Sequence, residues 1–127
     1  MRRVYPVILS PDDFGYLVTI PDFDINTEGH DLSEAIFMAR DAIGAVAICM
    51  LDDGREVPEP SVTEPPHKKS DLVSWIDIDF DEYREATDTT AERTSVSLPR
   101  NLKRKAEAAG ISFSRELQIR LKELLHV

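Results

Sequence analysis

The chain has 127 residues, 24 acidic side chains against 15 basic ones, and a formal charge of -9. That length holds one ordinary domain or two small units, and so negative an average disfavours nucleic acid, whose phosphates an acidic surface repels. The single cysteine, Cys49, rules out an internal disulfide and is expected buried in an apolar helical run. No apolar run reaches the roughly 18 residues of a membrane span and no leader-like segment opens the chain, so a cytoplasmic protein with no membrane partner is expected.

In chain order, "RRVYPVIL" and "GYLVTIP" read as two strands of a hairpin joined by the turn formers "SPDDF". Pro6 lacks a ladder donor, which predicts either an edge strand or a proline on the strand's free side. A short third strand is expected in "FDINTEG", ending at Gly29. The period then changes from two to between three and four. Leu32, Ile36, Ala39, Ile43, Val46 or Ala47, and Met50 form an apolar helical stripe, with Asp31 or Ser33 as cap and Gly54 just beyond the end. "REVPEPSVTEPPHKKS" holds Pro58, Pro60, Pro65 and Pro66 and reads as a connector.

Next, "DLVSWIDIDFDEY" alternates as a strand, its apolar positions being Val73, Trp75, Ile76, Ile78 and Phe80. Asp77, Asp79 and Asp81 are expected on one wet face, about 7 Å apart in succession. The expectation to this point is a small α+β unit, β-β-β-α-β, over residues 1–83. The polar stretch 84–92 reads as a linker.

Residues 93–127 reverse the charge. Residues 1–92 carry 7 Lys+Arg against 21 Asp+Glu, whereas 93–127 carry 8 against 3, so two surfaces with different partners are implied. In "RTSVSLP", Val96 and Leu98 share one side of a strand and Arg93, Ser95 and Ser97 the other. Pro99 starts a helix carrying Leu102, Ala106 and Ala109 inward, with Gly110 as terminator. A second helix follows, capped by Ser112, with Phe113, Leu117, Leu121 and Leu124 on one face. So short a unit cannot bury these faces alone, which calls for a homodimer. Its core would be Val96, Leu98, Leu102, Phe113, Leu117 and Leu121.

This strand-helix-helix pattern resembles the ribbon-helix-helix DNA-binding fold, in which two chains pair their strands into a ribbon that enters the major groove. The resemblance implies base contacts from Arg93, Ser95 and Ser97, and phosphate contacts from Ser112, Phe113 and Ser114 at the start of the second helix and from Arg100 at the start of the first. Lys103, Arg104 and Lys105 would add sequence-blind attraction.

The N-terminal stretches "YPVILSPDDFGYLVTIPDF", "TEGHDLSEAIFMARDAI" and "DDGREVPEPS" resemble the HicB antitoxin family. That resemblance implies a reduced ribonuclease-H-like first unit, a HicA-like toxin as partner (a basic messenger-RNA-cleaving ribonuclease), and double-stranded operator DNA as the second partner. An acidic inhibitor suits a toxin built to attract RNA phosphates; Asp22, Asp24, Glu28 and Asp31 are the candidate toxin-facing residues. One departure stands out: many members carry Gly-Cys before a Thr-x-Gly turn, where this chain has Asp24, Ile25 and Asn26.

Catalysis is not expected. No P-loop, dinucleotide fingerprint or Ser-His-Asp set occurs, and His30, His67 and His126 fall in no metal-ligand spacing with Cys49, so neither cofactor nor metal is called for. Two other readings remain: a transcription regulator whose first unit senses a small molecule, and a nuclease using the Asp77–Asp79–Asp81 carboxylates.

Overall fold

The computed structural model describes residues 1–127, and the chain divides into unit 1, Met1–Thr89, and unit 2, Thr90–Val127. The division falls inside the segment expected to be a linker.

Unit 1 opens with strand β1, Arg2–Asp12, which turns at Asp13 and Phe14 into β2, Gly15–Ile20. The ladder runs from Asp12↔Gly15 to Ile8↔Thr19, so the hairpin is tighter than the "SPDDF" turn suggested. The Asp12 carboxylate closes it by accepting the Phe14 N–H at 2.8 Å. Gly15 has φ 138°, and a Cβ there would lie 2.2 Å from the Gly29 carbonyl oxygen, so both conformation and space require glycine.

A single 3-10 turn, Pro21–Phe23, leads to β3, Ile25–Gly29. Asp24, between them, is left-handed at φ 53° and ψ 46°. Aspartate tolerates that region better than most residues, so the loop turns here without a glycine.

Helix α1, Leu32–Asp52, starts at the Asp31 cap, whose carboxylate accepts the Glu34 N–H at 2.8 Å. It ends as Gly54 N–H reaches Leu51 C=O and Arg55 N–H reaches Met50 C=O, the paired closure that a left-handed glycine permits. Strand β4, Leu72–Asp79, completes a sheet of order β3-β2-β1-β4 in which every neighbouring pair is antiparallel. β1 is therefore central rather than an edge. Pro6 lies beyond its stretch paired with β2, which begins at Ile8, so the missing N–H costs that ladder nothing.

The core lies between the sheet and α1. Tyr5, Val7 and Leu9, Val18 and Ile20, and Ile76 and Ile78 meet Ala35, Ala39, Ile43 and Ala47, closed by Val57 and Phe80. The buried helical stripe thus runs at steps of four, with alanine at every position but Ile43. Leu32 is 45 % exposed, and Ile36, Val46 and Met50 are only half-buried. Gly29 explains the rotation: a Cβ on it would sit 2.4 Å from the Ala35 backbone nitrogen, so helix and strand approach closely enough to select alanine over a larger residue. The same rotation leaves Cys49 exposed, against expectation.

The expected strand through Asp81 stops at Asp79. The Asp79 carboxylate accepts the N–H groups of Asp81 (2.9 Å) and Glu82 (3.3 Å) and caps helix α2, Phe80–Thr87. Asp77, Asp79 and Asp81 therefore do not share a strand face. The N–H bond from Glu82, then that from Asp81, holds the Asp79 carboxyl below the usual carboxylate range, with the Met1 amine and Arg2 adding charge. Tyr83 of α2 lies across α1 where Gly44 leaves room, since a Cβ at 44 would come 2.6 Å from its ring. Its hydroxyl donates to Asp41 at 3.0 Å; burial and that carboxylate raise the phenol's pKa. Tyr83→Phe should keep the ring contact and cost roughly 0.5–1.5 kcal/mol in urea unfolding. A midpoint equal to wild type would mean that this hydrogen bond is not formed in solution.

Unit 2 contains helix α3, Arg100–Ala108, and helix α4, Phe113–Leu125. Gly110, left-handed at φ 71°, ends α3 with Gly110 N–H to Glu107 C=O and Ile111 N–H to Ala106 C=O. Ser112 caps α4, its hydroxyl accepting the Arg115 N–H at 3.4 Å. Residues 93–98 form no strand in the single chain. The strand expected there is not formed, and a lone extended segment has no ladder to join.

Candidate functional site

Each unit carries one candidate surface. In unit 1 the four residues expected to face a toxin are separated by the sheet. Asp22 and Asp24 lie at the Ile20–Ile25 end of the β2–β3 ladder, Glu28 and Asp31 at the Tyr16–Gly29 end; Asp24 and Glu28, four strand residues apart, are about 13 Å from one another. Two of the four hold the fold together. Asp22 accepts the N–H and hydroxyl of Ser61, pinning the connector, and Asp31 caps α1. Arg3 and Tyr5 fasten the same connector: the Arg3 guanidinium donates to the carbonyls of Val57 (3.3 Å) and Pro58 (3.0 Å), and the Tyr5 hydroxyl to Pro58 at 2.7 Å. Burial raises the Tyr5 pKa, with Arg3 opposing.

Glu28 is freer. It borders a cleft of about 420 Å³ where the hairpin tip meets β3 and the first turns of α1. Asp12, Glu28 and Glu34 supply carboxylates, Phe14, Tyr16 and Met38 supply apolar walls, and His30 lies at the side. Phe14 is 85 % exposed. Sequence reading passed over it because a single aromatic among turn formers carries no periodic signal. A larger cleft of about 560 Å³ lies by Met1, Arg3, Leu51 and Arg55, but its Arg3 is already committed to the connector carbonyls and to Glu59 at 3.5 Å.

The carboxylates considered for a nuclease do not converge. Asp77 is engaged by Arg2 at 3.3 Å and by Arg40, which also donates to the Asp77 carbonyl at 2.9 Å. Asp79 is a cap, and Asp81 lies in α2 beside the Met1 amine at 2.7 Å. No group of three or more His, Cys, Asp or Glu side chains is arranged to hold a metal ion.

In unit 2 Arg93, Ser95 and Ser97 are exposed and lie in the irregular segment before α3. Arg100 opens α3, whereas Ser112, Phe113 and Ser114 gather at the start of α4. There the first-turn N–H groups of Phe113 and Ser114 have no acceptor within the helix, and they project with the positive end of its dipole. The Ser114 hydroxyl accepts from Gln118 at 3.3 Å. Five of the six expected dimer-core residues are uncovered: Val96, Leu98, Leu102, Leu117 and Leu121 are 57, 42, 53, 40 and 46 % exposed, and Phe113 is half-buried.

The fold is similar to that of a solved chain described as a toxin-antitoxin complex from Streptococcus pneumoniae. The likeness has a TM-score of 0.59 at 20 % identity, over 97 % of this chain and 99 % of that one. An uncharacterized 14.9 kDa protein in the rep-hol intergenic region of Haemophilus phage HP1 (strain HP1c1) is 29 % identical over 101 residues, 76 % of this chain and 73 % of the phage protein. The model of the HicB-like antitoxin family of bacterial toxin-antitoxin systems matches residues 5–116, and the chain belongs to that family. None of its helices is long and apolar enough to cross a membrane.

Proposed function

We propose that unit 1 binds and neutralises a HicA-like ribonuclease toxin and that unit 2, paired with a second copy as a ribbon-helix-helix, binds operator DNA and represses the chain's own operon. The observation that carries the reading is the state of unit 2 within a HicB-like antitoxin: a basic segment whose apolar side chains are nearly all uncovered. A monomer gains nothing by exposing Leu102, Leu117 and Leu121 together, while a dimer buries them and gives residues 93–98 a strand to pair with. Arg93, Ser95 and Ser97 then face base edges, with Arg93 suited to two hydrogen bonds to guanine. Arg100 and the α4 start with Ser112, Phe113 and Ser114 meet phosphates. The element order β-β-β-α-β in unit 1 is in keeping with a reduced ribonuclease-H-like scaffold used for binding, not cleavage.

The fragment 1–89 tests the division of labour. It retains the whole buried core and should hold the toxin with the affinity of the full chain, while operator binding falls to background in gel-shift assays. The full chain's DNA affinity should fall steeply with salt, through phosphate contacts. A folded 1–89 fragment that fails to capture toxin would overturn the assignment of inhibition to unit 1.

A further inference from the structure

We infer that β3 is an assembly edge: it pairs antiparallel with β3 of a second copy, with Thr27 on the two-fold axis, so that two four-stranded sheets continue as one. A sheet of order β3-β2-β1-β4 has two edges, each a row of unpaired backbone groups that natural proteins cover, charge or interrupt. The β4 edge is guarded, since Arg40 donates to the Asp77 carbonyl at 2.9 Å and pairs with the Asp77 carboxylate at 3.3 Å. β3 has no such guard. Its sequence INTEG holds no proline, lysine or arginine, and Glu28 is its one charge.

The occupant follows from the register. Antiparallel pairing of a strand with its own copy needs a two-fold through one residue, and only a centre at Thr27 lets all five residues of β3 pair. A centre at Asn26 sets Asp24 against Glu28, and a centre at Glu28 sets that carboxylate against itself, in a unit already strongly acidic. With Thr27 central, threonine meets threonine, Ile25 meets Gly29, and Asn26 meets Glu28, its amide placed to donate to the carboxylate. Gly29 packs toward Ala35 of α1, so alternation puts Asn26 and Glu28 together on the other face of the sheet, where both are exposed. Nor does the helix repel a second copy by charge. Met38, Ala42, Ala45 and Cys49 run down one line of α1, about 200° round from Arg40, and Met38 borders the same cleft as Gly29 and His30. Five residues a side fall short of the roughly 1,200 Å² of a stable complex, so the pairing draws on the high local concentration that a second contact through unit 2 supplies. To that extent the inference rests on the reading above.

The full chain carrying Cys49→Ser and Thr27→Cys tests the pairing, because its one thiol then stands on the proposed axis. Oxidation by air with copper phenanthroline should convert most of it to a disulfide-linked dimer. Adding Asn26→Glu, which sets acid against acid twice in each pair, should slow that reaction about 10-fold, and adding Glu28→Lys to that variant should restore it. Asn26 and Glu28 are exposed, so the melting midpoint should stay near that of wild type. If Thr27→Cys unfolds unit 1, a photo-crosslinking residue at position 26 decides, by joining two copies or failing to. A chain that sediments as a dimer yet forms no link, or whose rate ignores the charge exchange, would overturn the β3 pairing alone. A chain both monomeric in sedimentation and unlinked would overturn the pairing of unit 2 as well. Capture of a co-expressed protein at position 26, in place of a second copy, would overturn the choice of occupant.

Discussion

The Gly29→Ala variant is expected to lose about 3 kcal/mol of unfolding free energy in unit 1, at the upper end of what one added methyl costs in a packed interior. The size follows from what the methyl meets. Its carbon would lie 2.4 Å from the Ala35 nitrogen and 2.6 Å from the Ala35 Cα, both backbone atoms of α1, so no side-chain rotation relieves the clash. Helix and strand must separate, and the small-residue seam through Ala35 and Ala39 then loses contact with β2 and β3. Urea unfolding of the 1–89 fragment measures the loss. A midpoint within error of wild type would mean that the close approach of β3 and α1 does not exist in solution.

The second large effect belongs to unit 2. If unit 2 pairs as proposed, Leu117→Asp, which puts a charge at the centre of the apolar face of α4, should leave the chain monomeric in sedimentation at micromolar concentration where wild type is dimeric. Operator affinity should then fall by at least about 1000-fold, the span separating specific from non-specific binding, because one chain supplies half a ribbon and one phosphate anchor. Toxin binding should be unaffected. A Leu117→Asp protein that remains dimeric with an unchanged footprint would show that this face is not the dimer core.

Which features were legible in the sequence depends on how local their causes are. The Asp31 and Ser112 caps and the left-handed Gly54 and Gly110 follow from residues within a turn of the feature, and each lies where the sequence puts it, while the hairpin forms with a turn tighter than expected. The stripe on α1 read correctly at Ala39, Ile43 and Ala47 but not in its first turn, because hydrophobicity alone favours Leu32 and Ile36 over Ala35. The choice is made by Gly29 on another element. Asp79 misled for a related reason: alternation continues into Phe80, but the aspartate ends the strand by capping the helix after it. The acidic candidates were chosen by charge, and charge does not reveal that Asp22 and Asp31 serve as structural acceptors. The strand over residues 93–98 is intermolecular by expectation, so a single chain does not display it.

The sheet order has a consequence for how the protein is made. β1 pairs with β2 a few residues away but with β4 across as many as 77, Arg2 opposite Asp79. During synthesis the hairpin, β3 and α1 can assemble as soon as they leave the ribosome, while the other side of β1 stays unpaired until nearly the whole unit has emerged. A nascent antitoxin therefore presents an open hydrogen-bonding edge, bordered by Tyr5, Val7 and Leu9, for several seconds at ordinary elongation rates. That interval is when the unpaired edge is most open to pairing with another chain.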